Sequence, residues 1–325
     1  MRVEVPFEDV GPAVRISAPV AAALADGRPV VALESTVFSR LGLPEVAGAE
    51  ARRRADGALR AAGAVPALTA VLDGEARVGV DDDELALVMA AGRKVAERDL
   101  PLAVAQRWPA AATTVSASLA LAAAAGIAVF ATGGIGGVHG DFAETGDESA
   151  DLTALARHPV VTVCAGAKSF LDLPRTLERL ETLGVPVVGL GTDGGALPGF
   201  WSRRSGGPVV PHEVSSPEEV AAVLRAARAL GYGGGVLVVT PVPHGDEVPF
   251  EELGPAIEVA LAEAAAAGVT GGAVTPFVLE RIAVATGGRT VAANVALVEH
   301  NAAVAGAIAS ALAQPEANGR RQMRT

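Results

Sequence analysis

The two lysines of the chain, Lys94 and Lys168, are the residues whose type says most about chemistry, because all the other basic residues counted with them are arginines. Arginine stays protonated at any accessible pH, whereas a buried lysine amine can lose its proton and attack a carbonyl carbon. Lys168 follows the apolar run Val160–Cys164 and three small residues, so we predict that it lies poorly solvated at a strand end. It is the best candidate in the sequence for a covalent nucleophile.

Lys94 stands in a different context, the charged stretch Gly92–Asp99, which we predict as the end of a helix. An exposed ion-pair partner is the simplest interpretation of such a lysine. If Lys94 reaches the site of Lys168, it would hold a phosphate or, through like-charge repulsion, favour the neutral amine of Lys168.

Glu34 is the first candidate for acid–base chemistry, because it directly follows the apolar run Val30–Leu33. A carboxyl group at a strand end among hydrophobic residues has a raised pKa and can act as a general acid. A helix N-cap or a structural ion pair would explain the same residue.

A glycine-rich segment, Gly133–Gly140, follows Thr132 at the end of another apolar run and contains His139. Its glycines would allow positive φ angles and a close approach of the backbone to a ligand, and its N–H groups could hold a phosphate. The spacing matches neither the dinucleotide fingerprint nor a Walker A loop.

The segment leads into a series of acidic residues that could bind a metal ion. Carboxylates with one histidine, His139, suit Mg²⁺ or Mn²⁺ better than Zn²⁺. The acidic residues that follow are Asp141, Glu144, Asp147, Glu148 and Asp151.

Two further pairs of polar residues could bind a ligand. Thr113 and Thr114 precede a predicted helix that begins at Val115, where hydroxyls and free N–H groups form an anion site or simply cap the helix. Asn294 and Asn301 are seven residues apart on a predicted helix and therefore share a face. An amide there could read a planar heterocycle, although capping or solvent exposure would explain Asn301 equally well.

The elements that must position these residues alternate along the chain, which predicts an α/β fold of three layers with helices on both faces of a mostly parallel sheet. A further run, Leu102–Ala105, is strand-like. The predicted strands are Val30–Leu33, Leu68–Leu72, Ile127–Ala131, Val160–Cys164, Val185–Leu190 and Gly235–Thr240. The predicted helices are Val46–Ala62, Asp83–Glu97, Val115–Ala125, Ser149–Ala156, Ser169–Leu183, Pro217–Leu230, Phe250–Ala267 and Val291–Ala313.

Composition limits the classes of function. The net charge of -11 disfavours nucleic acid polymers and anionic membranes as partners, because both would repel the chain at long range. The single Cys164 cannot form an internal disulfide and the first residues lack the pattern of a signal peptide, so we expect a cytoplasmic protein. The longest apolar stretch, residues 115–131, is predicted as a buried helix running into a strand.

Neither an internal repeat nor a linker divides the sequence, so we predict a single domain over residues 1–313 and a polar tail over residues 314–325. Residues 191–211 are rich in Gly, Pro and Ser, and we predict that they form a long excursion near the active site or a subunit contact.

Eight segments, in this order, resemble the pseudouridine-5'-phosphate glycosidase family over most of the chain. The glycine-rich segment and the Cys164-Ala165-Gly166-Ala167-Lys168 segment are highly specific together. The segments are Ala32-Leu33-Glu34-Ser35-Thr36, Arg98-Asp99-Leu100-Pro101, Ala112-Thr113-Thr114-Val115, Ala131–His139, Ser149-Ala150-Asp151-Leu152, Val163–Ser169, Val274-Thr275-Pro276-Phe277 and Asn294-Val295-Ala296-Leu297.

The resemblance implies a homotrimer that acts reversibly on the C–C bond between ribose 5-phosphate and uracil. By match to the family's motifs, Lys168 would form a Schiff base with C1' of the opened sugar, and Glu34 would be the acid–base catalyst. Asp151 would hold Mn²⁺, or Mg²⁺, mostly through water. Asn294 would face the nucleobase. The implied substrate-binding residues are Lys94, Thr114, Val115, Thr132, His139, Ser149 and Asn294.

Several segments differ from the family's usual pattern. Val37–Pro44 replaces a His-Gly-Met-Pro-Tyr-Pro-like loop, Gln106–Pro109 replaces a Lys-Asn-Gly-like stretch, Ala96 replaces a serine, and Thr240–Pro243 replaces an Asn-Pro-Ile-Pro-like turn. These segments are expected to shape the aglycone side. The sequence therefore leaves open whether the chain releases uracil or joins ribose 5-phosphate to another carbon nucleophile. A non-catalytic sugar-phosphate binding protein is a third alternative.

Overall fold

A computed structural model describes residues 14–314 of the chain. Their strands join in one eleven-stranded sheet. The strands are β1 Val14–Ile16, β2 Val30–Leu33, β3 Val65–Leu72, β4 Glu75–Val78, β5 Lys94–Val95, β6 Ala110–Thr113, β7 Val129–Ala131, β8 Val161–Cys164, β9 Val187–Leu190, β10 His212–Val214 and β11 Val236–Val239.

Helices cover the sheet on both sides, which gives the predicted α/β/α layers. The long α12 packs against α2, α9 and strands β7 and β8 on one side, while α5 packs against α7 and β7 on the other. The helices are α1 Ala18–Ala25, α2 Glu45–Ala61, α3 Asp82–Met89, α4 Leu100–Ala105, α5 Val115–Ala124, α6 Phe142–Thr145, α7 Ala150–Arg157, α8 Leu173–Thr182, α9 Pro217–Ala229, α10 Phe250–Ala266, α11 Val274–Ala285 and α12 Arg289–Ala313.

The centre of the sheet is parallel and carries the site. Strands follow the order β1-β4-β3-β2-β7-β8-β11-β9-β10, and β6 pairs with β3 and with β5. Only the pairs of β3 with β4 and with β6 are antiparallel among these strands. Strands β2 and β8 are buried on both faces, which explains why they are continuous apolar runs without alternation.

Two sequence predictions near Lys94 were wrong. The helix predicted over Asp83–Glu97 ends at Met89, and Lys94 lies instead in the two-residue strand β5, paired in parallel with β6. The strand-like run Leu102–Ala105 is part of helix α4, where Pro101 occupies the first turn. The strand is the alanine-rich β6, whose residues have little β propensity and are held by pairing with β3 and β5.

One helix of the described residues, α12, is long and apolar enough to cross a membrane by length and composition. Its apolar window is 61% buried inside the structure, so packing against the sheet accounts for its composition. Apart from Gln314, the predicted polar tail lies outside the described residues.

Candidate active site

The candidate site forms where three neighbouring parallel strands end. Leu33 of β2 pairs with Ala131 of β7, and Ala131 pairs with Val163 of β8, so the three strands finish side by side. Glu34, Thr132 and Lys168 follow these strands and line the same cleft. The strand order therefore brings together three residues that are distant in the sequence, at the sheet edge where open α/β folds place their ligands.

Glu34 has the electrostatics of an acid–base group. Burial raises its pKa to about 7, although Lys168, the Thr132 hydroxyl and Lys94 all favour the carboxylate. Thr132 donates its hydroxyl to Glu34 Oε2 and so orients the carboxyl group. Glu34 is neither an N-cap nor a partner in a salt bridge within residues 14–314.

Lys94 also reaches the cleft, where it lines the same cavities as Glu34 and Lys168. Burial lowers the pKa of Lys94, and the positive charge of Lys168 lowers it further against the opposing effect of Glu34 and Asp151. The interpretation of Lys94 as an exposed ion-pair partner is therefore wrong. Pairing of β5 with β6 places the side chain of Lys94 in the wall of the cleft.

None of the glycines of the Thr132–Gly140 segment adopts a left-handed φ, and three of them, Gly134, Gly136 and Gly137, are required by packing. A Cβ on Gly134 would lie 2.6 Å from the ring of Phe200, and one on Gly136 would lie 2.3 Å from Ser149 Oγ. The expected positive φ angles are absent from this segment. Glycine is needed there because other parts of the chain approach its backbone closely.

The cleft has a polar chamber bounded by the starts of α5 and α7. Thr114 is the N-cap residue of α5, and its hydroxyl meets Ser116 Oγ at 3.0 Å without capping the helix. Ser149 is the N-cap of α7 and accepts from Asp151 N. The predicted residues Thr114, Val115, His139, Ser149 and Asp151 all line this chamber.

Asp151 is buried in the wall of the polar chamber and is held by two backbone groups. Its Oδ1 accepts from Ser116 N at 3.0 Å and its Oδ2 from Gly136 N at 2.9 Å. Within residues 14–314, no three His, Cys, Asp or Glu side chains are grouped to hold a metal ion. A cation here would have one carboxylate and otherwise water, a donor set that fits Mg²⁺ or Mn²⁺.

The second part of the cleft is an apolar chamber lined by Leu41, Leu43, Phe200 and Leu279. Asn294 is its amide-bearing residue. Glu34, Lys94, Lys168 and other residues line both chambers, so the two open into each other at the candidate catalytic groups.

Sequence reasoning missed Phe200 and Trp201, which lie in the predicted excursion over residues 191–211. Phe200 has φ 64°, a left-handed conformation that costs a bulky residue about 1–3 kcal/mol. Its ring lines the apolar chamber, and Trp201 Nε1 donates to Asn294 Oδ1 at 3.0 Å. The only signal in the sequence was the Gly- and Pro-rich context, which indicated a site nearby but no particular residue.

Two other candidates take structural roles. Asn301 is fully buried and donates to the carbonyl oxygens of Thr132 and Gly133 at 2.8 and 3.2 Å, so it supports the glycine-rich segment from α12. Burial raises the pKa of Cys164 to about 12, which keeps its thiol protonated and unreactive. Lys168 therefore remains the candidate nucleophile that follows β8.

Comparisons with known proteins agree with this architecture. A family described as Indigoidine synthase A like protein matches residues 19–311. The chain is 49% identical over 316 residues to the pseudouridine-5'-phosphate glycosidase of Methylobacterium nodulans, covering 97% of this chain and 90% of that protein. It is 50% identical over 297 residues to the enzyme of the same name from Deinococcus radiodurans, covering 91% and 93%.

Solved structures share the fold. The prealnumycin C-glycosynthase AlnA, in complex with ribulose 5-phosphate, superposes with a TM-score of 0.84 at 36% identity and covers 92% of this chain and 97% of its own. An indigoidine synthase A-like protein from Thermotoga maritima has a TM-score of 0.83 at 36% identity, with 95% and 100% covered.

Proposed function

The chain belongs to the indigoidine synthase A-like family, and on that premise we propose that it cleaves pseudouridine 5'-phosphate to uracil and ribose 5-phosphate through Lys168. The observation that carries the proposal is the convergence of Lys168, Glu34 and Lys94 where a polar and an apolar chamber meet. A sugar phosphate and an uncharged heterocycle need such a pair of chambers side by side.

The bond type explains why an amine is needed. A C–C glycosidic bond has no leaving-group oxygen or nitrogen to protonate, so the two-carboxylate route of ordinary glycosidases does not apply. Opening the sugar ring and bonding C1' to the amine allows the nitrogen lone pair to form an iminium as the C–C bond breaks. The bonding electrons go to the uracil carbon, which takes a proton, and water then hydrolyses the iminium to release ribose 5-phosphate.

Glu34 supplies the protons in this sequence. With a pKa of about 7, it is available in both protonation states near neutral pH, as a group that alternates between acid and base requires. The protonated form donates to the ring oxygen when the sugar opens. The hydrogen bond from the Thr132 hydroxyl holds the carboxyl group in the cleft that Lys168 and Lys94 also line.

The polar chamber provides the anchor for the phosphate. The starts of α5 and α7 direct backbone N–H groups and the positive ends of their dipoles toward it, and Thr114 and Ser149 add hydroxyls. Lys94 adds a positive charge, and His139 lies half-buried in the same wall. Because the chain carries a net charge of -11, the phosphate must be held by such local groups.

A divalent cation, Mn²⁺ or Mg²⁺, fits beside Asp151 in the same chamber. Each Asp151 oxygen accepts one backbone N–H bond and keeps a lone pair for a cation or its water. Such an ion would supply positive charge next to the phosphate. Dialysis against a chelator followed by titration with Mn²⁺ tests this assignment through the KM for the phosphorylated substrate.

Two measurements test the proposed function. Purified protein should release uracil from pseudouridine 5'-phosphate in the presence of Mn²⁺, and no release would contradict cleavage of this substrate. Borohydride added with ribose 5-phosphate should trap an adduct visible by intact mass spectrometry. An adduct that persists in Lys168→Ala would contradict the Schiff base, and a protein that binds the sugar phosphate without either reaction would be a binding protein.

C-glycosidic bond synthesis is the second candidate. The residues Leu41, Gly42 and Leu43, in the segment that departs from the family's usual loop, line both the apolar chamber and an outer cavity beyond it. This space favours an aglycone larger than uracil. A trapped ribose 5-phosphate adduct without uracil release would favour synthesis on such an aglycone.

A homotrimer and a cytoplasmic location stay predictions. The family resemblance supports the trimer, and the single reduced, buried Cys164 is compatible with a reducing compartment. A mass of three chains in sedimentation equilibrium would support the trimer. Recovery of the native protein in the cytoplasmic fraction of cells would support the location. The single-domain organisation is likewise tested by a single cooperative unfolding transition.

A further inference from the structure

The amide of Asn294 has a fixed polarity because of the residue behind it. Trp201 Nε1 lies 3.0 Å from Asn294 Oδ1, and an indole N–H can only donate a hydrogen bond. The amide atom that it meets must therefore be the oxygen. The chemistry of the indole partner therefore fixes the orientation of the Asn294 amide, whose oxygen and nitrogen have nearly the same shape.

The other end of the amide is free to meet a ligand. Within residues 14–314, Asn294 Nδ2 has no hydrogen-bond acceptor, and it is not one of the fully enclosed unpaired atoms, so it remains accessible. Asn294 lines both the apolar chamber and the outer cavity. Its NH2 group is therefore a donor presented where these two spaces meet, with no acceptor of its own beside it.

Trp201 is held firmly enough to impose this polarity. Its side chain is 1% exposed, its carbonyl oxygen accepts from Val248 N at 2.9 Å, and its ring lies 5.0 Å from that of Phe200. The left-handed conformation of Phe200 is fixed by a hydrogen bond from Phe200 N to Ala165 O, in the segment that precedes Lys168. The indole is thus linked to the segment that carries the nucleophile.

We propose that Trp201 is a positioning residue that sets the specificity of the apolar chamber by directing the Asn294 NH2 toward the aglycone. The chamber then takes a heterocycle that presents a hydrogen-bond acceptor, such as a ring carbonyl oxygen, to this group. A heterocycle with an amino group there is rejected, because two donors would face each other in a buried space. The inference rests on the proposed function and adds the residue that orients the amide facing the aglycone.

The test compares pseudouridine 5'-phosphate with its two amino analogues, in which an amino group replaces either the C2 or the C4 carbonyl oxygen. Wild-type protein should discriminate against one analogue by roughly 10²-fold or more in kcat/KM. In Trp201→Phe the amide can rotate, so this ratio should fall by about tenfold or more. A purely structural role would lower the rates for all substrates and leave the ratio unchanged.

A second variant and a matched control keep the test decisive. Asn294→Asp retains an oxygen for Trp201 and replaces the NH2 by an acceptor, so the preference should shift toward the amino analogue. Trp108 lies in a segment that was expected to shape the aglycone side, but it lines neither chamber of the cleft nor the outer cavity. Trp108→Phe removes its indole N–H bond to Gln106 Oε1 at 2.9 Å and should therefore leave the ratio as in wild type. If Trp201→Phe fails to fold, Trp201→Met, which also lacks an N–H donor and fills part of the space of the indole, takes its place in the same comparison.

The failure of this inference differs from failure of the proposed function. Wild-type protein that releases uracil but accepts both amino analogues equally, or an unchanged ratio in Trp201→Phe, overturns the inference alone. Wild-type protein that releases no uracil overturns the proposed function. In that case calorimetry measures the Kd values of uracil and of its two amino analogues in the presence of ribose 5-phosphate. The ratio of these Kd values, compared between wild type and Trp201→Phe, decides the inference.

Discussion

The polar and apolar chambers of the cleft are built by opposite means. Helix starts, hydroxyls and Lys94 surround the polar chamber, and most of these groups were visible as motifs in the sequence. Side chains from distant segments, among them Leu41, Phe200 and Leu279, form the apolar chamber around a single amide. In the proposed function, fixed charges and backbone dipoles would therefore anchor one half of the substrate, while shape and one directed hydrogen bond would select the other.

The largest effect is expected from the residue at the junction of the two chambers. Lys168→Arg keeps the charge but removes an amine that can be deprotonated, so kcat should fall by roughly 10⁴-fold or more. Lys94→Arg is the matched control, and it should retain activity within about 10²-fold, since arginine can still contact phosphate. Steady-state assay of uracil release measures both, and comparable losses in the two variants would contradict the distinction between the lysines.

Glu34→Gln should lower kcat by roughly 10²–10⁴-fold, because the amide cannot exchange protons. In wild-type protein, kcat/KM should fall as the pH rises through about 7, where the protonated acid that opens the ring is lost. The variant should lack this limb in its pH profile. A profile with the same midpoint in Glu34→Gln would assign the titration to another group.

The same carboxyl group should leave a signature in stability. Its folded-state pKa of about 7 exceeds the ordinary value of 4.5, so its contribution to the free energy of unfolding is fully present below pH 4.5 and lost as the pH rises to 7. Between pH 4.5 and 8, Glu34→Gln should gain about 2–3 kcal/mol relative to wild type. Urea denaturation at the two pH values measures this, and equal pH dependence in both proteins would contradict it.

A smaller effect is expected within the polar chamber. Thr114→Val removes one hydroxyl from the phosphate anchor at nearly constant volume, so the KM for pseudouridine 5'-phosphate should rise about tenfold with little change in kcat. Thr182→Val, which removes an exposed hydroxyl bonded within α8, is the control. A fall in kcat at unchanged KM would place Thr114 in catalysis instead of phosphate binding.

The smallest effect concerns the backbone of the apolar chamber. Both Phe200→Ala and Phe200→Gly remove the ring, but only glycine relieves the left-handed conformation. The glycine variant should therefore be more stable than the alanine variant by about 1 kcal/mol, as thermal unfolding would show. Equal stabilities would indicate that the backbone relaxes after the ring is lost.

Much of the polar half of the site was predictable, because its residues follow recognisable local patterns. Glu34, Thr132 and Lys168 each come after an apolar run, and parallel strands of a sheet end at one edge. Lys94 was predicted on a helix because its strand has only two residues and is defined by its pairing with β6. Phe200 and Trp201 could not be predicted, since a left-handed φ at a bulky residue has no sequence signal.

By itself, the sequence determined the fold class and the family and singled out Lys168 as the candidate nucleophile, because apolar periodicity, strand-end motifs and a lysine after a buried run are local features. Only the tertiary structure decided that Lys94 lines the same cleft as Lys168, why glycines are required in the glycine-rich segment, and which way the Asn294 amide points. These depend on contacts between residues far apart in the chain, such as Trp201 and Asn294, which are 93 positions apart, and such contacts exist only once the layers have packed.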